Sequence, residues 1–143
     1  MRLSAFFALP LLLAGVTGAI PTPQVSKRAI SGSPQGSSCG NTDFNDFQIE
    51  DAAQRGVNNR NGPNPGGYPK EFGNTEGFEF GNCDGQMYEF PILKSGNVYG
   101  GGRPFEFRVI YQLADDGDGK YCGLVYHPPN DDRGFEHCKD VSG

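Results

Sequence analysis

The stretch FRVIYQLADDGDGKYCGLVYH, residues 107 to 127, decides the fold. Both of its ends are rich in β-branched and aromatic residues, whereas its centre, Asp115 to Gly119, holds the Asp and Gly residues that favour turns. This pattern predicts a β-hairpin with strands from Phe107 to Leu113 and from Tyr121 to His127. The centre also resembles a calcium loop, but it lacks the closing glutamate of an EF-hand, so we interpret it as the hairpin turn.

Two further strands are predicted upstream of the hairpin, from Gly77 to Phe80 and from Met87 to Leu93. They have the same composition and are separated by clusters of Asp, Gly, Asn and Pro. The four strands together form a compact antiparallel sheet. Because side chains alternate along a strand, Glu89 lies on the face of Met87, and the sheet can bury one face while the other carries a polar row.

A helix is predicted before the sheet, from residue 46 to residue 60. Asp46 is expected to cap it, and the apolar residues Ile49, Ala52, Ala53 and Val57 follow helical spacing. The segment from Asn61 to Gly67 is rich in Gly, Asn and Pro, which predicts a loop. The fold class is therefore α+β, with one N-terminal helix packed on a small twisted antiparallel sheet.

The first 28 residues have the features of an export and processing segment. Residues 1–19 are typical of a signal peptide, because Arg2 precedes a short apolar run that ends in small residues. Residues 20–28 end in the pair Lys27-Arg28, which indicates a short propeptide or an accidental dibasic pair in a flexible N-terminus. Residues 29–143 then form a single domain, which begins between Ala29 and Cys39 and is poorly ordered from Ala29 to Ser38. No later run is long enough to cross a bilayer, so we expect no membrane association.

The charge distribution excludes some partners. Three of the 12 Lys and Arg residues, Arg2, Lys27 and Arg28, precede residue 29, whereas all 17 Asp and Glu residues follow it. A protein that binds duplex DNA usually has a basic stripe, and this acidic chain has none. The sequence therefore disfavours DNA binding, but it allows chemistry on a short stretch of RNA that a few cations hold.

Four cysteines in an exported chain predict two disulfides. The sequence by itself permits three pairings of Cys39, Cys83, Cys122 and Cys138. A zinc site is the alternative, but the wide spacing and the absence of any Cys-x-x-Cys disfavour it. The disulfides would compensate for the small core of a domain of this size.

Glu89, Arg108 and His127 are the candidate catalytic residues. Taken singly, each has an ordinary interpretation: a solvent-facing strand carboxylate, a strand cation in an ion pair, and a histidine that ends a strand. Their combination on one small disulfide-bonded sheet is more specific, because a carboxylate, a guanidinium and an imidazole can together transfer protons at a phosphodiester.

The motifs around these three residues resemble those of the fungal guanyl-specific ribonuclease family, whose distant relatives include the ribotoxins. The resemblance extends from about Cys39 to Cys138, and the order and intervals of the polar residues are similar to the family pattern. Its motifs are YP (68–69), EGFEF (76–80), YEFPIL (88–93), SGNVY (95–99), RVIY (108–111), CGLVYH (122–127) and FEHC (135–138).

The resemblance implies a mechanism without a metal or another cofactor. Glu89 takes the proton of the ribose 2′-hydroxyl, and nearby cations keep its carboxylate ionised. His127, as an imidazolium, protonates the departing 5′-oxygen. Arg108 stabilises the negative charge on the phosphate, Tyr68 donates a hydrogen bond to it, and Phe135 packs against the reacting sugar-phosphate.

The resemblance also implies a guanine site and the disulfide pairing. Cys39 pairs with Cys138, and Cys83 pairs with Cys122. The substrate-binding residues would be Phe72, which stacks on the base, the backbone of Gly73, Asn74 and Thr75, and the carboxylate of Glu76, with Arg133 contacting base or phosphate or remaining a solvated loop cation.

Two positions depart from the family pattern. Lys70 occupies the place of a histidine beside the catalytic carboxylate, and it is expected to bind phosphate but not to act as a spare neutral base, because a lysine side chain is a cation at ordinary pH. Thr75 occupies a position where an aromatic residue is common, so stacking on one side of the base is lost and base specificity is relaxed.

The sequence thus predicts a secreted, monomeric endoribonuclease whose partner is single-stranded RNA. The alternative is a secreted effector or cytotoxin on the same scaffold, with weak or no catalysis, which binds RNA or a host protein. Lys70 favours the alternative, whereas the presence of Glu89, Arg108 and His127 together favours the enzyme. A toxin that cuts ribosomes is disfavoured, because such relatives carry long basic loops.

Overall fold

The computed structural model describes Gly15, Gly18 and residues 29–131 and 133–142. The predicted signal peptide, residues 1–19, and propeptide, residues 20–28, lie outside the described residues apart from the two glycines. Among the described residues, no helix combines the length and the apolar character that a membrane crossing needs.

The described chain folds as one α-helix and short strands that form two sheets, which agrees with the predicted α+β class. The helix is α1 (Asp46–Asn58), and a 3₁₀ turn covers Pro65–Gly67. The strands are β1 (Ile30–Ser31), β2 (Gly36–Cys39), β3 (Thr42–Asn45), β4 (Lys70–Phe72), β5 (Met87–Pro91), β6 (Phe107–Leu113), β7 (Gly119–Tyr126), β8 (Glu136–His137) and β9 (Lys139–Val141).

The larger sheet is built around the predicted hairpin. Its strand order is β1-β7-β6-β5-β4, with β8 paired to β7, and all pairs are antiparallel except β1 with β7. Strand β6 has the predicted bounds. Strand β7 starts two residues earlier than predicted, at Gly119, and it ends at Tyr126, so His127 follows the strand instead of ending it.

The Asp-rich centre of the hairpin is a turn. The Ala114 N–H donates to the Asp118 carbonyl over 2.8 Å, and the Gly117 N–H donates to the Ala114 carbonyl over 2.9 Å. The Asp116 carboxylate accepts from the Asp118 N–H at 2.9 Å. The acidic residues therefore shape the backbone here, as the turn interpretation expects. In the part of the chain that the structure describes, no three His, Cys, Asp or Glu side chains gather as metal ligands do.

The prediction that residues 29 to 38 are poorly ordered was wrong. Strand β1 pairs with β7, and β2 lies between β3 and β9 in the smaller antiparallel sheet. Ser37 is buried, and its hydroxyl lies 3.4 Å from the Lys139 carbonyl. The Gly/Ser composition suggested a loop, but pairing with strands about a hundred residues away supplies the backbone hydrogen bonds, and such long-range pairing overrides weak local propensity.

The helix has a different cap from the predicted one. Asn45, not Asp46, is the N-cap: its side chain accepts from the Gln48 N–H at 2.9 Å, and the Gln48 side chain accepts from the Asn45 N–H at 3.0 Å. This reciprocal pair is a capping box, and Asp46 instead contributes a carboxylate to the first turn. The helix ends at Asn58, two residues before the predicted end. It buries Ile49, Ala52, Ala53 and Val57 against the sheet, as the spacing predicts.

Gly77 to Phe80 was predicted to be a strand, and this prediction was also wrong. The Asn74 side chain both donates to the Phe78 carbonyl, at 2.8 Å, and accepts from the Phe78 N–H, at 2.9 Å. These bonds hold the segment as a loop, with Gly77 at φ 72. The aromatic residues that suggested a strand instead contact each other edge-on, with the ring centroids of Phe78 and Phe80 6.1 Å apart.

The larger sheet has an apolar layer on each face. On the helix side, α1 packs against the buried residues Phe90, Val109, Tyr111 and Leu124. On the opposite face a smaller cluster contains Phe72, Phe80, Ile110, Cys122 and Val125. The polar side chains predicted for the exposed face therefore lie next to this apolar cluster. Their contact with the cluster determines how far they are buried.

Both disulfides have the predicted pairing. Cys39 pairs with Cys138 across 99 residues, and Cys83 pairs with Cys122 across 39 residues. The first holds β2 beside the C-terminal strands. The second ties the loop before β5 to β7, on the face of the smaller cluster.

Removing either disulfide is predicted to destabilise the fold. In the chain-entropy model, closing loops of these lengths stabilises the folded state by about 4 to 5 kcal/mol for Cys39–Cys138 and about 4 kcal/mol for Cys83–Cys122. Denaturant unfolding of the double variants Cys39→Ala/Cys138→Ala and Cys83→Ala/Cys122→Ala would measure both losses. A loss below about 1 kcal/mol for either pair would contradict the prediction.

Candidate active site

Strand register brings the predicted catalytic residues to one face of the larger sheet. Lys70 in β4, Glu89 in β5 and Ile110 in β6 are direct cross-strand neighbours. Arg108 lies two residues before Ile110 in β6, opposite Pro91. Cross-strand neighbours and residues two apart share a face. The carboxylate, the lysine and the guanidinium therefore all project from the face that is opposite to the helix.

Glu89 is a half-buried carboxylate. Its Oε2 atom is buried and has no hydrogen-bond partner among the described residues. Burial raises the pKa of Glu89 above its ordinary value, although the positive charges of Arg108, Lys70 and His127 act in the opposite direction. Nearby cations favour the ionised carboxylate, as expected, but they are one of two opposing effects on the pKa of Glu89. Desolvation, which raises this pKa, is the larger effect. A raised pKa makes the carboxylate a stronger base near neutral pH.

Arg108 is held by main-chain carbonyls. Only 5% of its surface is exposed, and its Nη1 atom donates to the carbonyls of Phe105 at 2.7 Å, Phe107 at 2.8 Å and Pro104 at 3.3 Å. Its Nε atom is buried without a partner among the described residues. Arg108 and Glu89 form no ion pair there either. The guanidinium is thus fixed in place without being neutralised by the carboxylate of the same face.

Tyr68 lies between the two cations of the site. The Lys70 ammonium is 4.5 Å from the centroid of its ring, and the Arg108 guanidinium is 5.3 Å from it. The ring is buried and contacts Phe90 and Tyr99 edge-on, with centroids 6.5 and 5.7 Å away. Cation–π attraction and this packing hold the tyrosine next to both charges.

His127 is oriented by two backbone contacts. The backbone N–H of His127 donates to the Glu106 carbonyl at 3.0 Å, and the ring atom Nδ1 lies 2.7 Å from the Gly134 carbonyl oxygen. Because a carbonyl can only accept, Nδ1 must carry the hydrogen, which leaves Nε2 as the nitrogen that exchanges protons. The imidazole also stacks on the Phe135 ring at a centroid distance of 3.9 Å. Phe135 therefore supports the histidine directly.

A cleft of about 230 Å³ adjoins Glu89. Its walls are the predicted base-binding residues together with Glu71. The lining residues are Glu71, Phe72, Gly73, Asn74, Thr75, Glu76, Glu89, Arg133 and Phe135. The predicted guanine-binding residues and Glu89, the predicted general base, thus border the same cleft.

Glu76 is one of the charged groups that line this cleft, and main-chain and side-chain donors hold its carboxylate. Its Oε1 accepts from the Phe135 N–H at 3.0 Å, and its Oε2 accepts from the Thr75 hydroxyl at 3.2 Å. Slight burial acts to raise the pKa of Glu76, but the Phe135 N–H, its own backbone N–H, the Thr75 hydroxyl and the charge of His127 together lower it. The ionised carboxylate links the loop of residues 73–76 to the segment that carries Phe135.

The other predicted binding residues differ in their surroundings. Phe72 is buried, and its ring contacts those of Phe80 and Phe135 edge-on. The Asn74 side chain is occupied by Phe78, while Gly73 and Thr75 are exposed. The Arg133 side chain is 92% exposed, and its Nε atom lies 3.9 Å from Oδ1 of Asp131. Phe72 therefore belongs to the wall of the cleft, and Arg133 remains a solvated cation at its edge.

Several groups that position the site were not predicted. They are the carbonyls of Pro104, Phe105 and Phe107 around Arg108, and the carbonyls of Glu106 and Gly134 around His127. Every residue has a carbonyl, so no residue type marks them in the sequence. A larger cleft of about 650 Å³ borders His127 on another side, between the β2–β3 turn and residues 128–131.

Comparison with known proteins identifies relatives of this chain. The model of the ribonuclease family matches residues 32–139. Guanyl-specific ribonuclease F1 of Fusarium fujikuroi is 31% identical over 140 residues, which cover 96% of this chain and 98% of that protein. Guanyl-specific ribonuclease U1 of Ustilago sphaerogena is 36% identical over 103 residues, which cover 70% of this chain and 91% of that protein.

A solved structure of a ribonuclease from Hericium erinaceus is 33% identical to this chain and has a TM-score of 0.49, with 73% of this chain and 98% of that one covered. The resemblance seen in the motifs is confirmed by the family model and by the aligned relatives. Because that model matches most of the residues, and a relative more than 30% identical aligns along nearly the whole length, the chain belongs to the fungal guanyl-specific ribonuclease family.

Proposed function

We propose that this ribonuclease cleaves single-stranded RNA on the 3′ side of guanosine by transesterification, without a metal. The observation that carries the proposal is a pair of buried atoms on one sheet face, Glu89 Oε2 and Arg108 Nε, that have no hydrogen-bond partner among the residues that the structure describes. Leaving buried polar atoms unsatisfied costs free energy, and a substrate that hydrogen-bonds to both would recover it. A ribose phosphate offers a hydroxyl to the carboxylate and an anionic oxygen to the guanidinium.

In the first step, the Glu89 carboxylate takes the proton of the ribose 2′-hydroxyl as that oxygen attacks the adjacent phosphorus. The bond between phosphorus and the 5′-oxygen breaks, and protonated His127 gives its Nε2 proton to that oxygen. The products are a 2′,3′-cyclic phosphate and a free 5′-hydroxyl. Water then opens the ring to a 3′-phosphate, with His127 as base and Glu89 as acid.

Negative charge that develops on the phosphate oxygens is stabilised by Arg108, Lys70 and Tyr68. The guanidinium is held by three carbonyls, so little reorganisation is needed when the charge forms. The Lys70 ammonium is drawn to the Tyr68 ring and adds a second positive charge. Phe135 keeps the imidazole in orientation by stacking on it.

Guanine preference is attributed to the cleft that Glu76 shares with Glu89. Two relatives are named guanyl-specific ribonucleases, and an ionised carboxylate can accept from two N–H groups on the edge of guanine. The Gly73, Asn74 and Thr75 backbone and the Phe72 ring would complete the site. Glu76 must give up its bond to the Phe135 N–H, or share it, when the base binds.

The proposal also includes that the protein is exported and acts as a monomer. Residues 1–19 would direct secretion, residues 20–28 would be removed, and residues 29–143 would form the active domain. The two disulfides support an oxidising compartment, because they are rare in reducing ones.

Glu89→Gln is predicted to abolish cleavage, because the amide keeps the shape of the side chain but cannot accept the 2′-hydroxyl proton. His127→Ala should do the same by removing the acid. The assay incubates purified protein with a defined single-stranded RNA and maps the cut ends, which also tests the guanine preference. Substantial turnover by Glu89→Gln would refute the division of roles. An inactive wild type with intact RNA binding would support the effector alternative.

The same Glu89→Gln variant is predicted to be more stable than the wild type at neutral pH. A raised pKa means that the folded state binds the proton more tightly than the unfolded state, so this stability is present at low pH and is lost as pH rises through the folded-state pKa. Glutamine mimics the protonated carboxyl. The difference in melting temperature should therefore shrink as pH falls through the folded-state pKa and disappear below the unfolded-state pKa of about 4.3. The exposed Glu79→Gln serves as control, and an equal gain there would contradict the prediction.

Lys70→His is predicted to restore some cleavage to the Glu89→Gln protein. Position 70 lies directly across from position 89, and a neutral imidazole can accept a proton where an ammonium cannot. Initial rates of Glu89→Gln and of Glu89→Gln/Lys70→His on the same RNA give the comparison, with Lys70→His alone as control. Equal inactivity of both Gln proteins would show that position 70 does not reach the 2′-hydroxyl.

A further inference from the structure

Phe105 is a large aromatic residue in an unusual state. Its side chain is 52% exposed, and its backbone has φ 54, in the left-handed region that bulky residues rarely adopt. Such a conformation is unfavourable for a bulky side chain, and this ring recovers little of the cost through burial. Backbone outliers of this kind are concentrated at binding sites, so the position calls for a functional explanation.

The segment that carries Phe105 is attached to the proposed catalytic groups. The Phe105 carbonyl accepts from Arg108 at 2.7 Å, and the carbonyl of the next residue, Glu106, accepts from the His127 N–H at 3.0 Å. On the other side, the Tyr99 hydroxyl donates to the Gly102 carbonyl at 2.7 Å. The backbone that carries the exposed ring is therefore tied to Arg108 and to His127.

Arg103 adds a free cation to this ring. Its guanidinium lies 5.1 Å from the centroid of Phe105, and it forms no ion pair with any residue that the structure describes. Carboxylates outnumber cations in this chain, so an unpaired guanidinium over an exposed ring is a distinctive surface here. An aromatic face that stacks on a base, beside a cation that attracts the phosphate backbone, is the chemistry that binds single-stranded nucleic acid.

The ring lies outside the spaces that border the reacting groups. Phe105 lines neither the cleft that contains Glu76 nor the larger cleft beside His127. It does adjoin Glu106, which binds the histidine that protonates the leaving oxygen. The part of the RNA that continues in the 3′ direction from the cut carries that oxygen. Its bases would therefore lie on the His127 side of the phosphate and approach the Phe105 ring.

We propose that Phe105 and Arg103 form a stacking platform for a nucleobase on the 3′ side of the cut, beyond the dinucleotide that reacts. The platform rests on the proposed function. It makes the enzyme prefer RNA with several nucleotides after the guanosine, and it uses stacking instead of base-edge hydrogen bonds, so it accepts any base.

The test compares kcat/KM on a guanosine dinucleoside phosphate with that on oligonucleotides that hold one guanosine followed by five further nucleotides. Phe105→Ala is expected to lower the value on the extended RNA by about 5- to 150-fold, the range that corresponds to one stacked base. The Phe105 carbonyl that binds Arg108 remains in this variant, so the loss on the dinucleoside phosphate should be clearly smaller than the loss on the extended RNA. Phe105→Trp should retain most of the preference, and Arg103→Gln should weaken it and its salt dependence.

Phe47→Ala is the matched control, because Phe47 is also an exposed phenylalanine, 73% accessible, but lies in α1. An equal loss on both substrates would overturn the platform, since it would indicate a disturbed Arg108. If Phe105→Ala kept the wild-type preference for the extended RNA over the dinucleoside phosphate, that result would overturn the platform as well.

A binding measurement separates this inference from the proposed function. Fluorescence anisotropy with the extended oligonucleotide in a His127→Ala background reports on the platform without cleavage. Weaker binding of Phe105→Ala there supports the platform even if the wild type cuts no RNA. Equal binding with and without the ring overturns it even if the wild type is a fast enzyme.

Discussion

The register between β5 and β6 is the constraint on which the rest of the molecule depends. Pairing of Glu89 with Ile110 and of Pro91 with Arg108 places the carboxylate and the guanidinium on the face opposite to α1. A slip of one residue would turn Glu89 into the apolar layer under the helix and would expose Phe90. The buried residues Phe90, Val109 and Leu124 resist that slip, so the core against the helix maintains the site on the opposite face.

The site is costly for the fold, and the reason is visible in its buried polar atoms. Within the described part of the chain, Glu89 and Arg108 each keep one buried atom without a hydrogen-bond partner, and burial raises the pKa of Glu89. The disulfides and the apolar layers on both faces of the sheet offset this cost. A small domain with an unsatisfied catalytic face needs such cross-links, because its core alone contributes little stability.

Charge in this protein is local. Acidic residues outnumber basic ones over the chain, yet Lys70 and Arg108 both lie close to the Tyr68 ring, Arg103 lies over Phe105, and Arg133 borders the cleft that contains Glu76. In the function proposed above, attraction of RNA therefore depends on a few well-positioned cations and on aromatic faces rather than on a basic surface. This arrangement suits a short single-stranded substrate better than a long duplex.

Much of the architecture could be predicted from residue patterns. The bounds of β6, the apolar face of α1 and the turn between β6 and β7 follow from periodicity and turn residues, and the resemblance in the motifs supplied the family and the disulfide pairs. The two larger errors are of the same kind, because contacts that residue patterns do not show decided the local structure. Residues 29 to 38 became strands, and residues 77 to 80 became a loop, because partners distant in the chain or a single Asn74 side chain outweighed local propensity.

The sequence by itself determined which chemical groups are present, among them the Glu89 carboxylate, the His127 imidazole and the Arg108 guanidinium within a recognisable set of motifs. Only the tertiary structure decided how those groups behave. The desolvation that raises the pKa of Glu89, the carbonyls that hold Arg108 and the Gly134 carbonyl that leaves Nε2 of His127 to exchange protons are all contributed by segments distant from, or unmarked in, the motifs. Burial and main-chain contacts depend on how the whole chain packs, and no residue type encodes them.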